Sequence, residues 1–119
     1  MKRENKERII NLINEIKEKY QDILIIVEGI NDKMALENLG LEKIFVIKKG
    51  SVSAAIEKIL NSGIKKCMIL TDFDSEGKKL YSMIKRELVK NGIKIDDKLR
   101  KLLMKEKLSH IEGLTRFLS

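Results

Sequence analysis

The sequence predicts an α/β fold: a mainly parallel sheet of about four strands flanked by helices, with an extra helix in front and a short helical segment behind. Three observations carry this expectation. Apolar runs alternate with amphipathic stretches, the runs are aliphatic from end to end, and a glycine stands where each of three helices would stop. Uninterrupted aliphatic strands are expected where crossover helices bury both faces of a parallel sheet. A glycine just past a helical stretch supplies the left-handed residue that ends a helix.

Taken in order, residues 3–20 place Ile9, Ile13, Ile16 and Tyr20 at helical spacing, with Leu12 beside them, so an amphipathic helix covers one face of the core. The first strand is Ile23 to Val27, followed by a helix beginning near Asp32 and ending at Gly40. The second is Ile44 to Ile47, after which Gly50 and Ser51 lead into a helix ending at Gly63. The third is Lys66 to Thr71, followed by a helix from about Ser75 to Gly92, and Ile93 to Ile95 add a shorter fourth strand. Beyond Asp97 the run "KLRKLLMKEKLSHIEGLTRFLS" suggests two short helices, with Ser109 as a candidate cap. No repeat or linker interrupts the 119 residues, which are expected to form one domain: a core at 22–96, an N-terminal helix at 1–21 and a basic C-terminal segment at 97–119.

The composition narrows the function. A hydrophobic fraction of 43% suffices for a core, and 25 Lys and Arg against 18 Asp and Glu give a formal charge of +7. An acidic partner follows, with nucleic acid first. Cys67 is the one cysteine and lies inside an apolar run, so it is expected in the core without a disulfide. "MKRENKER" is charged where a signal peptide needs an apolar stretch, and Ile23 to Val27 is too short to span a bilayer, so the protein is expected in the cytoplasm with no membrane partner.

In open α/β sheets ligands sit beyond the carboxyl ends of the strands. The first strand ends in Glu28-Gly29, the second in Lys48-Lys49, the third in Asp72-Phe73-Asp74. Asp72 and Asp74, two apart, project from one side of an extended segment, with Phe73 turned to the other. Two hard oxygen ligands suit Mg²⁺, which keeps its other positions for water and phosphate; Mn²⁺ is a substitute. Glu28 stands on a neighbouring strand end as a third ligand or as a general acid/base. The blander reading of the aspartates is turn and helix-cap chemistry. An EF-hand is excluded because Met83 stands where its bidentate glutamate belongs, and no phosphate-binding loop of the Walker type occurs. A phosphatase-like aspartate pair belongs after the first strand of its fold, whereas this pair follows the third. His110 is the single histidine, too few for a histidine metal site. Lys48, Lys49, Lys78 and Lys79 adjoin the expected site, and residues 98–119 carry further basic charge, so both are candidate phosphate contacts.

With "VEGINDKMAL" and "ILTDFDSEGKKL" in place, the sequence resembles the Toprim superfamily over about residues 22–96. Within it the resemblance is greatest to small stand-alone archaeal members and to the Toprim half of the bacterial nuclease that matures five-S ribosomal RNA. It implies a compact Rossmann-like sheet and Mg²⁺-dependent making or breaking of phosphodiester bonds. Glu28 falls on the family's general acid/base, and Asp72 and Asp74 on its metal-coordinating aspartates. Gly29, Asp32 and Gly77 fall on supporting motif positions. The chain has no room for the breakage domain of topoisomerases, the polymerase core of primases or the ATPase of larger nucleases. What remains is a small nuclease acting on structured RNA or DNA, with RNA processing as one setting. The alternative is a non-catalytic, metal-dependent nucleic-acid-binding accessory, for which a protein partner is open.

Overall fold

A computed structural model describes residues 3–19, 22–47, 51–106 and 111–114. Its elements run α1 (Arg3–Lys19), β1 (Ile23–Val27), α2 (Ile30–Asn38), β2 (Ile44–Val46), α3 (Val52–Asn61), β3 (Lys66–Ile69), α4 (Ser75–Lys90), β4 (Lys94–Ile95) and α5 (Lys98–Met104), closing with a 3₁₀ turn at Ile111–Gly113. The four strands are parallel throughout and lie in the order β2-β1-β3-β4. The α/β reading and the mainly parallel sheet of four strands are both borne out.

Alternation along β1 divides the core into two layers. Ile23, Ile25 and Val27 face the layer built by α1, α2, α5 and the 3₁₀ turn, through Ile9, Ile13, Ile16, Leu36, Leu99, Leu103 and Ile111. Ile26 faces the other way, with Cys67 and Ile69 of β3, onto Ala55, Ile56 and Ile59 of α3 and Leu80, Ile84 and Leu88 of α4. Every strand residue from Ile25 to Val27 and from Cys67 to Ile69 is buried, which explains the absence of polar alternation in the sequence. Cys67 is fully buried, and that burial pushes its thiol up to about 11.

The helix-ending glycines fall where the sequence places them: Gly40, Gly63 and Gly92 have φ of 89°, 80° and 84°. Some boundaries differ from expectation: β2 ends at Val46 rather than Ile47, and β4 begins at Lys94 rather than Ile93. The third strand ends at Ile69 rather than Thr71, because Leu70 makes its last bond to Ile26 of β1 and the chain then turns toward α4. The first crossover helix begins at Ile30, not near Asp32, because Asp32 is its third residue and folds back onto the amide of Gly29 to close the helix start. Tyr20, Ser109 and His110 lie outside the described residues.

This topology fixes the place of a site. From β1 the chain crosses by α2 to β2 at one side, then by α3 over the opposite face to β3 at the other side. The reversal between β1 and β3 opens a crevice at their carboxyl ends, the position at which open α/β sheets bind ligands. Residues 28 and 72 flank that crevice.

Candidate metal and nucleic-acid site

Glu28 follows the last residue of β1, and Asp72 lies just past the end of β3, its immediate neighbour in the sheet. The register Ile26↔Ile69 brings the two exits together, and the amide of Asp72 donates to a carboxylate oxygen of Glu28 at 3.3 Å. A cleft of about 260 Å³ opens there, lined by Glu28, Asp72, Asp74 and Glu76, with Ile47 and Leu80 as its apolar wall. Among the sequence-predicted residues, Glu28, Asp72 and Asp74 therefore share one cleft.

The acids are not equivalent. Glu28 is raised from 4.5 to about 7, first by loss of solvent and then by the Asp72 carboxyl within hydrogen-bonding reach. The Asp72 amide works against that rise, while the charges of Asp72 and Asp74 add to it. Asp72 accepts at Oδ1 from the amide of Ile111 at 3.2 Å. Asp74 is the N-cap of α4, and its Oδ1 accepts from the amide of Gly77 at 2.8 Å. Helix-cap chemistry thus holds for Asp74, alongside its place on the cleft. Among the described residues no three His, Cys, Asp or Glu side chains converge as a ready-made cage. Magnesium does not need one, since one or two carboxylates with water and substrate phosphate suffice.

Gly77 is fixed by close approach rather than by a special backbone angle. A Cβ built there would lie 2.0 Å from the carbonyl oxygen of Asp72. No side chain fits, so the first turn of α4 can lie against the Asp72 backbone only with glycine at this position. Thr71 Oγ1 adds a bond to the Gly77 carbonyl at 2.7 Å. Asp32, 6% exposed, holds Gly29 through Oδ2 at 3.0 Å and so fixes the backbone that follows Glu28. Lys78 and Lys79 are exposed on the first turn of α4 and do not line the cleft, while Lys48 and Lys49 lie outside the described residues.

Sequence reasoning missed Arg100. It is 2% exposed on α5, and its Nη1 donates to the carbonyls of Ile69 at 3.2 Å and Thr71 at 2.8 Å. Its Nη2 reaches the carbonyl of Asp72 at 3.4 Å. The guanidinium also lies 4.9 Å from the Phe73 ring centre and 4.3 Å from that of Tyr81. Phe73, turned away from the aspartates as expected, thus supports the cation that holds their backbone. Tyr81 also donates to Asp97 at 2.6 Å, and Lys85 bonds both at 3.1 and 2.9 Å. The signal for Arg100 lay in "KLRKLL": a basic residue on the same helix face as Leu99 and Leu103 must be buried with its charge satisfied.

A larger cleft, about 350 Å³, lies at the opposite edge, among the start of β1 and the turn before β2. Its polar groups bond one another, Lys43 to Asp22 and Lys17 to the carbonyl of Leu39. Neither the topology nor the charge of that edge points to a ligand.

Comparison with known proteins agrees with this fold. The Toprim domain family model matches residues 22–97. A UPF0292 protein of Methanocaldococcus jannaschii is 35% identical over 95 residues, covering 79% of this chain and 74% of its own. One from Thermococcus kodakarensis is 34% identical over 107 residues, covering 87% and 78%. A solved structure from Aquifex aeolicus superposes with a TM-score of 0.76 at 29% identity, over 87% of this chain and 94% of that one.

Proposed function

Because this chain belongs to the Toprim family, whose domains are associated with metal-dependent nucleic-acid chemistry, we propose that it cleaves phosphodiester bonds in structured RNA or DNA with Mg²⁺. The observation that supports this most is the contact of Glu28 with Asp72 across the β1–β3 crevice, with Asp74 on the same cleft. The residues fit a divalent cation. Loss of solvent first, and then the neighbouring Asp72 and Asp74 carboxyls, hold Glu28 protonated toward neutrality, and a cation relieves the repulsive part of that state.

Asp72 and Asp74 would hold the metal, with Mn²⁺ able to replace Mg²⁺. A bound Mg²⁺ neutralises charge on a phosphate and positions it for displacement. The rest falls to the chain's own groups. Glu28, raised to about 7, is poised to take a proton from an attacking water or give one to a leaving oxygen near neutral pH. Arg100, Ile111 and Gly77 keep the Asp72 backbone and carboxylate in place from behind. Lys78 and Lys79 flank the cleft as phosphate contacts.

The test is incubation of purified protein with structured RNAs and with single- and double-stranded DNA, in Mg²⁺, Mn²⁺ or EDTA, beside Glu28→Gln. Metal-dependent cleavage that Glu28→Gln lowers by ~10²–10⁴-fold, with binding nearly unchanged, is the expected result. Equal cleavage by both proteins would remove Glu28 from the mechanism. Binding without cleavage across the panel would favour an accessory that only docks nucleic acid.

A further inference from the structure

We propose that the groove between α1 and α5 is a second contact surface for nucleic acid, one that grips the phosphate backbone outside the carboxylate cleft. The groove has a volume of about 450 Å³ and is faced by Arg8 of α1, by Lys98 and Lys101 of α5 and by Lys105 at its C-cap. Glu15 is the one acid of its lining, and Glu106, which follows Lys105 in the chain, accepts from Asn5. None of the four cations forms a salt bridge among the described residues. Four positive charges face one lining acid, and only Lys101 also has Asp97 within electrostatic reach, so the groove keeps an excess of positive charge that a polyanion relieves.

The spacing favours a regular polyanion over an acidic protein surface. Lys98, Lys101 and Lys105 stand at i, i+3 and i+7, on one side of the helix. At ~1.5 Å rise per residue they span about 10 Å, the axial length that about three phosphates of one strand occupy at ~3.4 Å each. The floor offers the half-buried Leu12 and Leu102 and no aromatic ring, so bases have nothing to stack on. Contact through the backbone alone is independent of sequence, and RNA and DNA should bind similarly. The same helix reaches the cleft: between Lys98 and Lys101, Arg100 holds the carbonyls of Ile69, Thr71 and Asp72. A strand lying on α5 is thereby tied to the segment that carries the aspartates.

The inference rests on reading the protein as one that acts on nucleic acid, but not on metal or cleavage. Its test is therefore run in EDTA, by fluorescence anisotropy with a labelled RNA hairpin and a DNA duplex of about 20 pairs, from about 50 to 200 mM KCl. Three proteins are compared: the parent, a groove triple (Lys98→Gln, Lys101→Gln, Lys105→Gln), and a control triple with the same charge change (Lys58→Gln, Lys65→Gln, Lys90→Gln). The control positions are all exposed, Lys58 and Lys90 on the helices of the opposite layer and Lys65 just before β3. The groove triple should weaken binding at low salt by ~10–100-fold and flatten the log–log salt slope by about two, since each neutralised phosphate contributes ~0.7–0.9. The control triple should change affinity by less than about threefold. Amide shifts of the parent on adding the hairpin, concentrated at residues 98–105, provide a readout that needs no variant. Equal loss in both triples would reduce the effect to net charge and overturn the proposal. So would absence of binding by the parent at low salt, or a groove that responds to an acidic polypeptide and not to either oligonucleotide. A parent that binds in EDTA but never cleaves in Mg²⁺ would end the enzymatic reading and leave this one standing.

Discussion

Glu28 stands at the meeting of two strand exits, where its carboxyl loses water on one side and meets Asp72 on the other. The resulting rise, from 4.5 to about 7, has a definite consequence for the metal-free protein. Between those values the folded state keeps the proton and the unfolded state does not, so stability falls as pH rises from about 4.5 to about 7 and then levels. The position is partly exposed, so solvent screening reduces the effect to the order of 1 kcal/mol. Urea denaturation across this range should show the decline in the parent and a flatter profile in Glu28→Gln; identical profiles would contradict the assignment. Gly77 makes an equally local prediction. An alanine Cβ 2.0 Å from the Asp72 carbonyl cannot be accommodated without moving backbone. Gly77→Ala should cost on the order of 2–4 kcal/mol and lower Mn²⁺ affinity measured by water relaxation, because the segment that shifts carries Asp72. Full affinity in a destabilised variant would separate the fold from the site.

Among elements, the exit of β3 shows what a sequence discloses and what it withholds. The βαβ rhythm was legible because aliphatic runs and helix-ending glycines are local patterns, and Asp72 and Asp74 were legible because a strand end in this fold is a known place. Asp74 was legible in both of its readings, as a candidate ligand and as a cap, since the short spacing to Gly77 permits either. What holds Asp72 was not legible in the same way. The amide of Ile111 comes from 39 residues downstream and leaves no trace in residue type, because any residue but proline carries an amide. Arg100 did leave a trace, a charge on the apolar face of α5. Its removal should be felt strongly: Arg100→Met leaves the carbonyls of Ile69, Thr71 and Asp72 without this donor. A loss of about 2–4 kcal/mol in urea-derived stability is expected, with Arg100→Lys recovering part of it, because buried acceptors deprived of a charged partner keep their desolvation cost. A change below about 0.5 kcal/mol would mean that water replaces the guanidinium at no cost.

At the scale of the whole molecule, the match to the Toprim family and the extent of the packed core differ. The match covers residues 22–97, yet much of one layer of the core comes from outside it. Ile9, Ile13 and Ile16 of α1, with Leu99, Leu103, Ile111 and Leu114 from the C-terminal segment, are all buried against β1 and β3. A fully buried aliphatic side chain contributes about 1.5–3 kcal/mol, so these residues together supply on the order of 10–20 kcal/mol of gross burial, an upper estimate because unfolded chains already bury part of it. That is as large as the ~5–15 kcal/mol net stability of an ordinary domain. Removing both segments also uncovers Ile23, Ile25, Val27 and Met68, which form the apolar face beneath them. A fragment limited to residues 22–97 is therefore expected to lose cooperative folding, whereas the chain of residues 1–119 should unfold in one transition. Urea titration followed by far-ultraviolet circular dichroism, with amide spectra of both proteins, decides the matter. A fragment with dispersed amide signals and an unchanged midpoint would show that the outer layer is an ornament on a self-sufficient core. A fragment that is collapsed, binds a hydrophobic dye and lacks dispersion would show that the α1–α5 layer, basic groove included, is part of what makes the sheet stable enough to hold Asp72 in place.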